Sequence, residues 1–260
     1  MIAVSKMKRA QERGLAGRPY SEKITQVIAD LAHLPQPGDG LHPLLQRRLV
    51  ARMAVVHITP DNGLCGGLPT VINRMTANYI LGQEVPTYLV TVGRKGFDFM
   101  RRFNLDIRAD FIGLGDRPNL LDTLPISRII IDDYTGGVID MVYIAYTRFI
   151  STMHQTPVLK QILPVEPAIL PKEASIDYIF EPDSSVVLGE LLPRFVEMQV
   201  YHAILESIAS EQSARMVAMR NATDNANELM RDLTLIYNKA RQESITKELL
   251  DITGGAEAVV

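Results

Sequence analysis

The residues best placed by type to do chemistry lie in one stretch, "HITPDNGLCGGLPT", residues 57 to 70. It holds the single cysteine, Cys65, beside Gly66 and Gly67, with His57 and Asp61 close by. A cysteine can act as a nucleophile, and a glycine-rich turn can wrap a phosphate. The spacing supports neither use. The GxxxxGK[ST] and G-x-G-x-x-G orders are both missing, and no lysine is placed to reach a phosphate. Cys65 has no basic neighbour in sequence to lower its pKa. Asp61-Asn62-Gly63 is instead strong turn chemistry, with Gly63 expected to supply a positive φ. Gly66 and Gly67 are expected to let a helix beginning near Pro69 pack closely on the preceding strand. The segment therefore reads as a structural turn. The alternative is a small α/β enzyme or ligand-binding protein that uses the loop at Asp61–Gly67.

Other candidates are weaker. His33, His42, His57, His154 and His202 fall in different elements, with no HExxH or CxxC companion, so neither metal nor cofactor is expected. Asp132 and Asp133 in "RIIIDDYTGG" could form a carboxylate pair, but neighbours on a helix point apart, and a solvated turn before Gly136-Gly137 is the expectation. "VGRKGFDFMRR" is basic and carries Phe97 and Phe99, yet it reads as one solvated helix end. No catalytic residue is expected.

Composition sets the class of protein. The 260 residues are 47% hydrophobic and 22% charged with a net charge of −3, an ordinary globular balance without the basic excess of a nucleic-acid binder. One cysteine leaves no internal disulfide framework and fits a reducing compartment. No apolar run approaches the ~18 residues that span a bilayer, so any membrane is expected to be reached through partners and not by direct insertion.

Three segments must position these residues. In residues 1–34, Ile24, Val27, Leu31 and Leu34 recur at 3-4-3 spacing, one helical stripe ending before Pro35. Over 53–165, the apolar runs "MAVVHI", "PTYLVTVG" and "MVYIAYTRF" read as buried strands, with helices "LPTVINRMTANYIL" and "GRKGFDFMRRF" between them. That alternation calls for an α/β layer with a largely parallel sheet. From about Ser184 onward, Gly189 and Pro193 alone interrupt a helical pattern through Ile252. About 65 residues at ~1.5 Å each make a rod near 100 Å. Leu205, Ile208, Met219, Ala222, Ala226, Leu229, Leu233, Ile236 and Ala240 form a heptad seam, broken at Gln212, Arg215 and Glu243. Such a seam needs a partner helix, and the N-terminal helix returning antiparallel is the candidate. The expected fold is α/β: a long antiparallel coiled coil of N- and C-terminal helices (1–34 and 184–260), with a Rossmann-like domain (53–165) at its side.

At the third segment the residues become specific. "SEQSARMVAMRNATDNANELMRDLTLIYNKARQESITKELLDITGGAEAV" resembles the C-terminal helix of the gamma subunit of rotary ATP synthases. "YTRFISTMHQTPVLKQILP", "VTVGRKGFDF" and "DNGLCGGL" look like the central domain of that family. "VSKMKRAQ" and "RPY" at 18 to 20 extend the likeness to the start. The resemblance implies a central rotor shaft of a proton-translocating rotary ATP synthase, without catalytic residue or bound nucleotide. Its implied partners are the alpha and beta subunits, the epsilon subunit and the membrane c-ring, on the cytoplasmic face of the cell membrane. Within "KARQESIT", Arg241, Gln242 and Thr246 are implied to contact the beta subunits, and "GGAEAVV" to sit in an apolar bearing. Family members begin several helical turns earlier than Met1, which implies a single upper helix exposing Leu233 and Ile236. A coiled-coil adaptor unrelated to energy coupling is the remaining alternative.

Overall fold

A computed structural model describes residues 4–12, 23–24, 26–28, 42–166 and 184–257. His33, Leu31, Leu34, the "RPY" segment and the last three residues lie outside the described residues. The chain divides into two compact units, Met1–Met216 and Val217–Val260.

The first unit is built on five strands: β1 (Met53–Ile58), β2 (Thr87–Val92), β3 (Ile107–Phe111), β4 (Met141–Phe149) and β5 (Gln155–Leu163). Their order across the sheet is β3-β2-β1-β4-β5. The first four run parallel, and β5 pairs antiparallel with β4. Three helices connect them: α1 (Leu68–Leu81), α2 (Arg94–Arg102) and α3 (Leu120–Thr135).

The central strand β1 is buried along its whole length, because both faces of the sheet are covered. Its alternate residues go to different cores, as the two-residue period of a strand requires. Ala54, Val56 and Ile58 join an apolar cluster with Ile126, Ile130 and Tyr134 of α3. Val55 joins a second cluster with Ile72 and Ile80 of α1 and Met100 of α2. This is the largely parallel, two-faced sheet that the strand–helix alternation demands.

The longest element, α4 (Ser184–Glu257), is a 74-residue helix. Inside the first unit its Leu188, Leu192, Val196, Val200, Ile204 and Ile208 belong to the same cluster as Ala10, Ile24 and Ile28 of the N-terminal stretch. The helical stripe read at Ile24 and Val27 is thus apolar packing surface, with Val27 partly buried against that cluster. Lys6 and Gln212 meet on one carboxylate, Asp116. A contact between an early N-terminal residue and a late helix residue is what an antiparallel return produces.

The second unit is helical over its described residues, and residues 219–253 are exposed throughout. Leu229 (59%), Leu233 (55%) and Ile236 (60%) of the heptad seam are among them. No helix among the described residues is long and apolar enough to cross a membrane.

Candidate functional site

The loop after β1 lies at the carboxyl end of the parallel strands, where open α/β sheets ordinarily bind ligands. Its residues are occupied with the fold. His57, fully buried in β1, approaches Asn73 Oδ1 through Nε2 at 2.7 Å and Thr76 Oγ1 through Nδ1 at 3.1 Å, both on α1. The amide oxygen can only accept, so Nε2 carries the proton and donates. Burial lowers the pKa of His57 to about 4, with the Asn73 bond acting weakly against it. A neutral imidazole pinning α1 to β1 is the result.

Asp61 ties together the turns that follow three neighbouring strands. Its Oδ1 accepts from the Arg94 amide at 2.9 Å, at the start of α2, and its Oδ2 from the Gly113 amide at 3.0 Å, after β3. A carboxylate at a helix N-terminus satisfies an otherwise unpaired donor. The turn geometry differs from the expectation. The positive φ falls on Leu64 (64°) and Gly66 (63°), and Gly63 is not among such residues. Nor do Gly66 and Gly67 permit close packing, since a Cβ at either would meet nothing within 4 Å. The close approach occurs one strand over. A Cβ on Gly93 would lie 1.9 Å from the Thr59 carbonyl oxygen, and one on Gly96 would lie 2.7 Å from both His57 Cδ2 and Thr59 Oγ1. The glycines of "VGRKGF", read as one end of a solvated helix, seat α2 against β1.

Cys65 is a buried free thiol, 1% exposed. Burial and the nearby Glu211 charge raise its pKa, and they outweigh the opposing effects of Arg215 and Lys95. A raised pKa keeps the sulfur protonated and inert. Its S–H points toward the Asn62 carbonyl at 3.8 Å, so the thiol lines the turn.

Helix α4 closes over this end of the sheet. The Arg215 guanidinium donates to the Gly63 carbonyl at 3.2 Å and pairs with Glu211 one turn back. Burial raises the Glu211 pKa, against the pull of Arg215. Between the strand ends and α4 a cavity of about 40 Å³ remains, bordered by Thr59, Asp61, Gly93, Ser207 and Glu211, room for a few waters at most. The sequence marks Gln212 and Arg215 as breaks in the heptad seam. In the fold they are the polar contacts that hold α4 to the loops.

The carboxylate pair is also resolved, and the reading of a solvated turn is wrong for Asp133. It is buried in the last turn of α3, where Arg108 binds it bidentately (2.7 and 2.9 Å) and the Tyr88 hydroxyl donates to it at 2.6 Å. Burial and that bond to Asp133 raise the Tyr88 pKa. Asp132 faces solvent. The site links α3 to β2 and β3 and has the chemistry of a structural ion pair. His42 caps a short 3-10 turn by accepting from the Leu44 amide at 3.3 Å, and His154 sits in the β4–β5 turn. Among the described residues no group of three or more His, Cys, Asp or Glu side chains could hold a metal ion.

Arg241, Gln242 and Thr246 lie on the exposed part of α4 in the second unit. At ~100° per residue they span roughly 140° of its circumference, an arc they share with the exposed Ile245 and Leu249.

Comparison with known proteins gives this architecture its family. The family model described as ATP synthase matches residues 1–259. The ATP synthase gamma chain of Dehalococcoides mccartyi (strain CBDB1) is 68% identical over 259 residues, covering 100% of this chain and 91% of that protein. The gamma chain of Roseiflexus sp. (strain RS-1) is 47% identical over 263 residues, covering 100% and 90%. Among solved structures, the central stalk and c-ring of the Tetrahymena thermophila mitochondrial ATP synthase matches with a TM-score of 0.65 at 23% identity, over 86% of this chain and 96% of that one. The chain belongs to the ATP synthase gamma chain family.

Proposed function

We propose that the protein turns as the central shaft of its complex, with residues 1–34 and 184–260 acting as one coiled coil and 53–165 as the domain attached at its side. As a gamma chain it is a non-catalytic stalk subunit of an F-type ATP synthase, within a membrane-associated assembly. In this reading the shaft is enclosed by alternating alpha and beta subunits, and its foot meets the epsilon subunit and the membrane c-ring. Rotation of the c-ring, driven by proton flow, then forces the beta sites through their conformations. The protein sits on the cytoplasmic face of the cell membrane without entering it.

One observation carries the reading. Residues 219–253 are exposed, yet they include Leu229, Met230, Leu233, Leu235, Ile236, Tyr237, Leu249 and Leu250, each more than half exposed. Burying such a side chain is worth ~1.5–3 kcal/mol, so a surface this apolar calls for an enclosing partner. Arg241, Gln242 and Thr246 are the polar members of that surface proposed to bond to the beta subunits. Affinity capture of the tagged chain from native membranes tests the reading. Alpha, beta and epsilon subunits should copurify with it, in company with the c-ring. Capture with an unrelated set of proteins would instead favour the adaptor reading.

A further inference from the structure

Four polar side chains of α4 between Ser210 and Arg215, just before the exposed stretch begins, each bond to a different part of the α/β domain. The Ser210 hydroxyl donates to the Thr147 carbonyl of β4 at 3.0 Å. The Gln212 amide donates to Asp116 Oδ1 in the loop before α3 at 2.8 Å. The Ser213 hydroxyl donates to the Thr152 carbonyl in the β4–β5 turn at 2.8 Å. The Arg215 guanidinium donates to the Gly63 carbonyl in the loop after β1 at 3.2 Å. At ~100° per residue these positions lie at roughly 0°, 200°, 300° and 140° around the helix axis, so the helix is gripped on all sides within two turns.

The chemistry of the grip differs from that of the packing below it. Leu188 to Ala209 meet the domain chiefly through apolar contacts, with scattered polar ties from the Lys160 ammonium to Gln199 Oε1 at 2.7 Å and from the Tyr201 hydroxyl to the Pro118 carbonyl at 3.5 Å. Apolar contacts are non-directional and oppose rotation of the helix about its axis less than hydrogen bonds set around it. Hydrogen bonds weaken steeply as their angle departs from linear, so bonds set around a circumference resist that rotation in either sense. Ser210 and Ser213 are fully buried and Gln212 is 2% exposed, so a donor there that loses its partner has little access to water. Asp116 also holds Lys6 through its other oxygen, so the N-terminal helix is anchored to the same carboxylate.

We propose that Ser210, Gln212, Ser213 and Arg215 form a torsional collar, the point at which torque passes between α4 and the α/β domain. They are positioning residues for energy coupling and touch no nucleotide. The collar rests on the shaft reading above.

The experiment uses the assembled head complex with its alpha–beta ring immobilised, a probe on the α/β domain, and rotation halted by nucleotide removal. Thermal fluctuation of the probe gives the torsional spring constant. Gln212→Ala/Ser213→Ala removes two of four bonds and should soften the collar by about twofold, if the bonds contribute additively. Ser213→Ala and Gln212→Ala singly should each soften it less, and they keep the test open if the double variant fails to fold. Arg108→Ala is the control. It removes an equally polar tie to Asp133 that does not touch α4, and it should destabilise the domain without softening the spring. Unchanged stiffness in all collar variants, or equal softening by Arg108→Ala, would overturn the collar. A parent complex whose probe never turns under ATP would overturn the shaft reading itself, and the collar with it.

Discussion

The Gly96 amide donates to the Thr59 hydroxyl across 2.8 Å, a contact open to a residue without a side chain. A Cβ at 96 would sit 2.7 Å from that same oxygen and from His57 Cδ2. Gly96→Ala is therefore expected to cost about 1–3 kcal/mol through overpacking, read as a lower midpoint in urea denaturation. Gly189→Ala, in α4 with nothing within 4 Å of the added Cβ, should raise stability by about 0.5–1 kcal/mol. If the two variants shift together, the close seat of α2 on β1 is not what position 96 requires.

His57 makes stability depend on pH. Its folded pKa of about 4 lies below the ordinary 6.5, so between those values the unfolded chain binds the proton more readily. Above pH 6.5 both states are neutral and the contribution is complete. As pH falls from 6.5 toward 4 it is lost, by on the order of 3 kcal/mol for a group this buried. His57→Gln removes the titration and should flatten the curve in that window, even though its overall stability is lower. An identical slope in both proteins would mean that other groups govern the acid limb.

Much of the α/β domain was legible because β1, β2 and β4 are buried on both faces and therefore appear as unbroken apolar runs. Strand β3 did not stand out. It is the edge strand, its residues alternate between half-buried and exposed, and Arg108 and Asp110 interrupt its pattern. Helix α3 was hidden by Pro125 inside it and by the β-branched run at Ile129–Ile131, which reads as strand. The apolar side of α4 was clear from spacing. Its polar contacts were not, because a heptad template scores Gln212 and Arg215 as flaws, and their partners Asp116 and Gly63 lie 96 and 152 residues away. Similarly, the loop glycines drew notice, whereas the tight steric demand falls on Gly93 and Gly96.

Cys65 should behave as packing. Being 1% exposed with its pKa raised by burial and by Glu211, it should react with a neutral thiol reagent far more slowly than a free cysteine, and rapidly once urea unfolds the chain. Cys65→Ser should leave ATP hydrolysis of the reconstituted head within about twofold of the parent, since a buried thiol acts as a small hydrophobe. A tenfold loss with assembly intact would return a direct role to the loop.

Arg241→Ala and Gln242→Ala should impair coupled turnover while leaving the isolated chain's melting unchanged, because both side chains are exposed. A lost hydrogen bond to a charged group is worth roughly 1.5–3 kcal/mol, enough to slow a rate by tenfold or more. Early melting of the isolated variants with normal assembled turnover would contradict the assignment of these residues to the beta subunits.

The central claim is that this chain turns inside a ring of catalytic subunits. Observing a probe fixed to its α/β domain, with the alpha–beta ring immobilised and ATP supplied, tests that claim most directly. The account predicts continuous rotation in one direction, dependent on ATP and abolished when residues 217–260 are deleted. A head complex that hydrolyses ATP at its full rate while the probe on this chain stays still would contradict it.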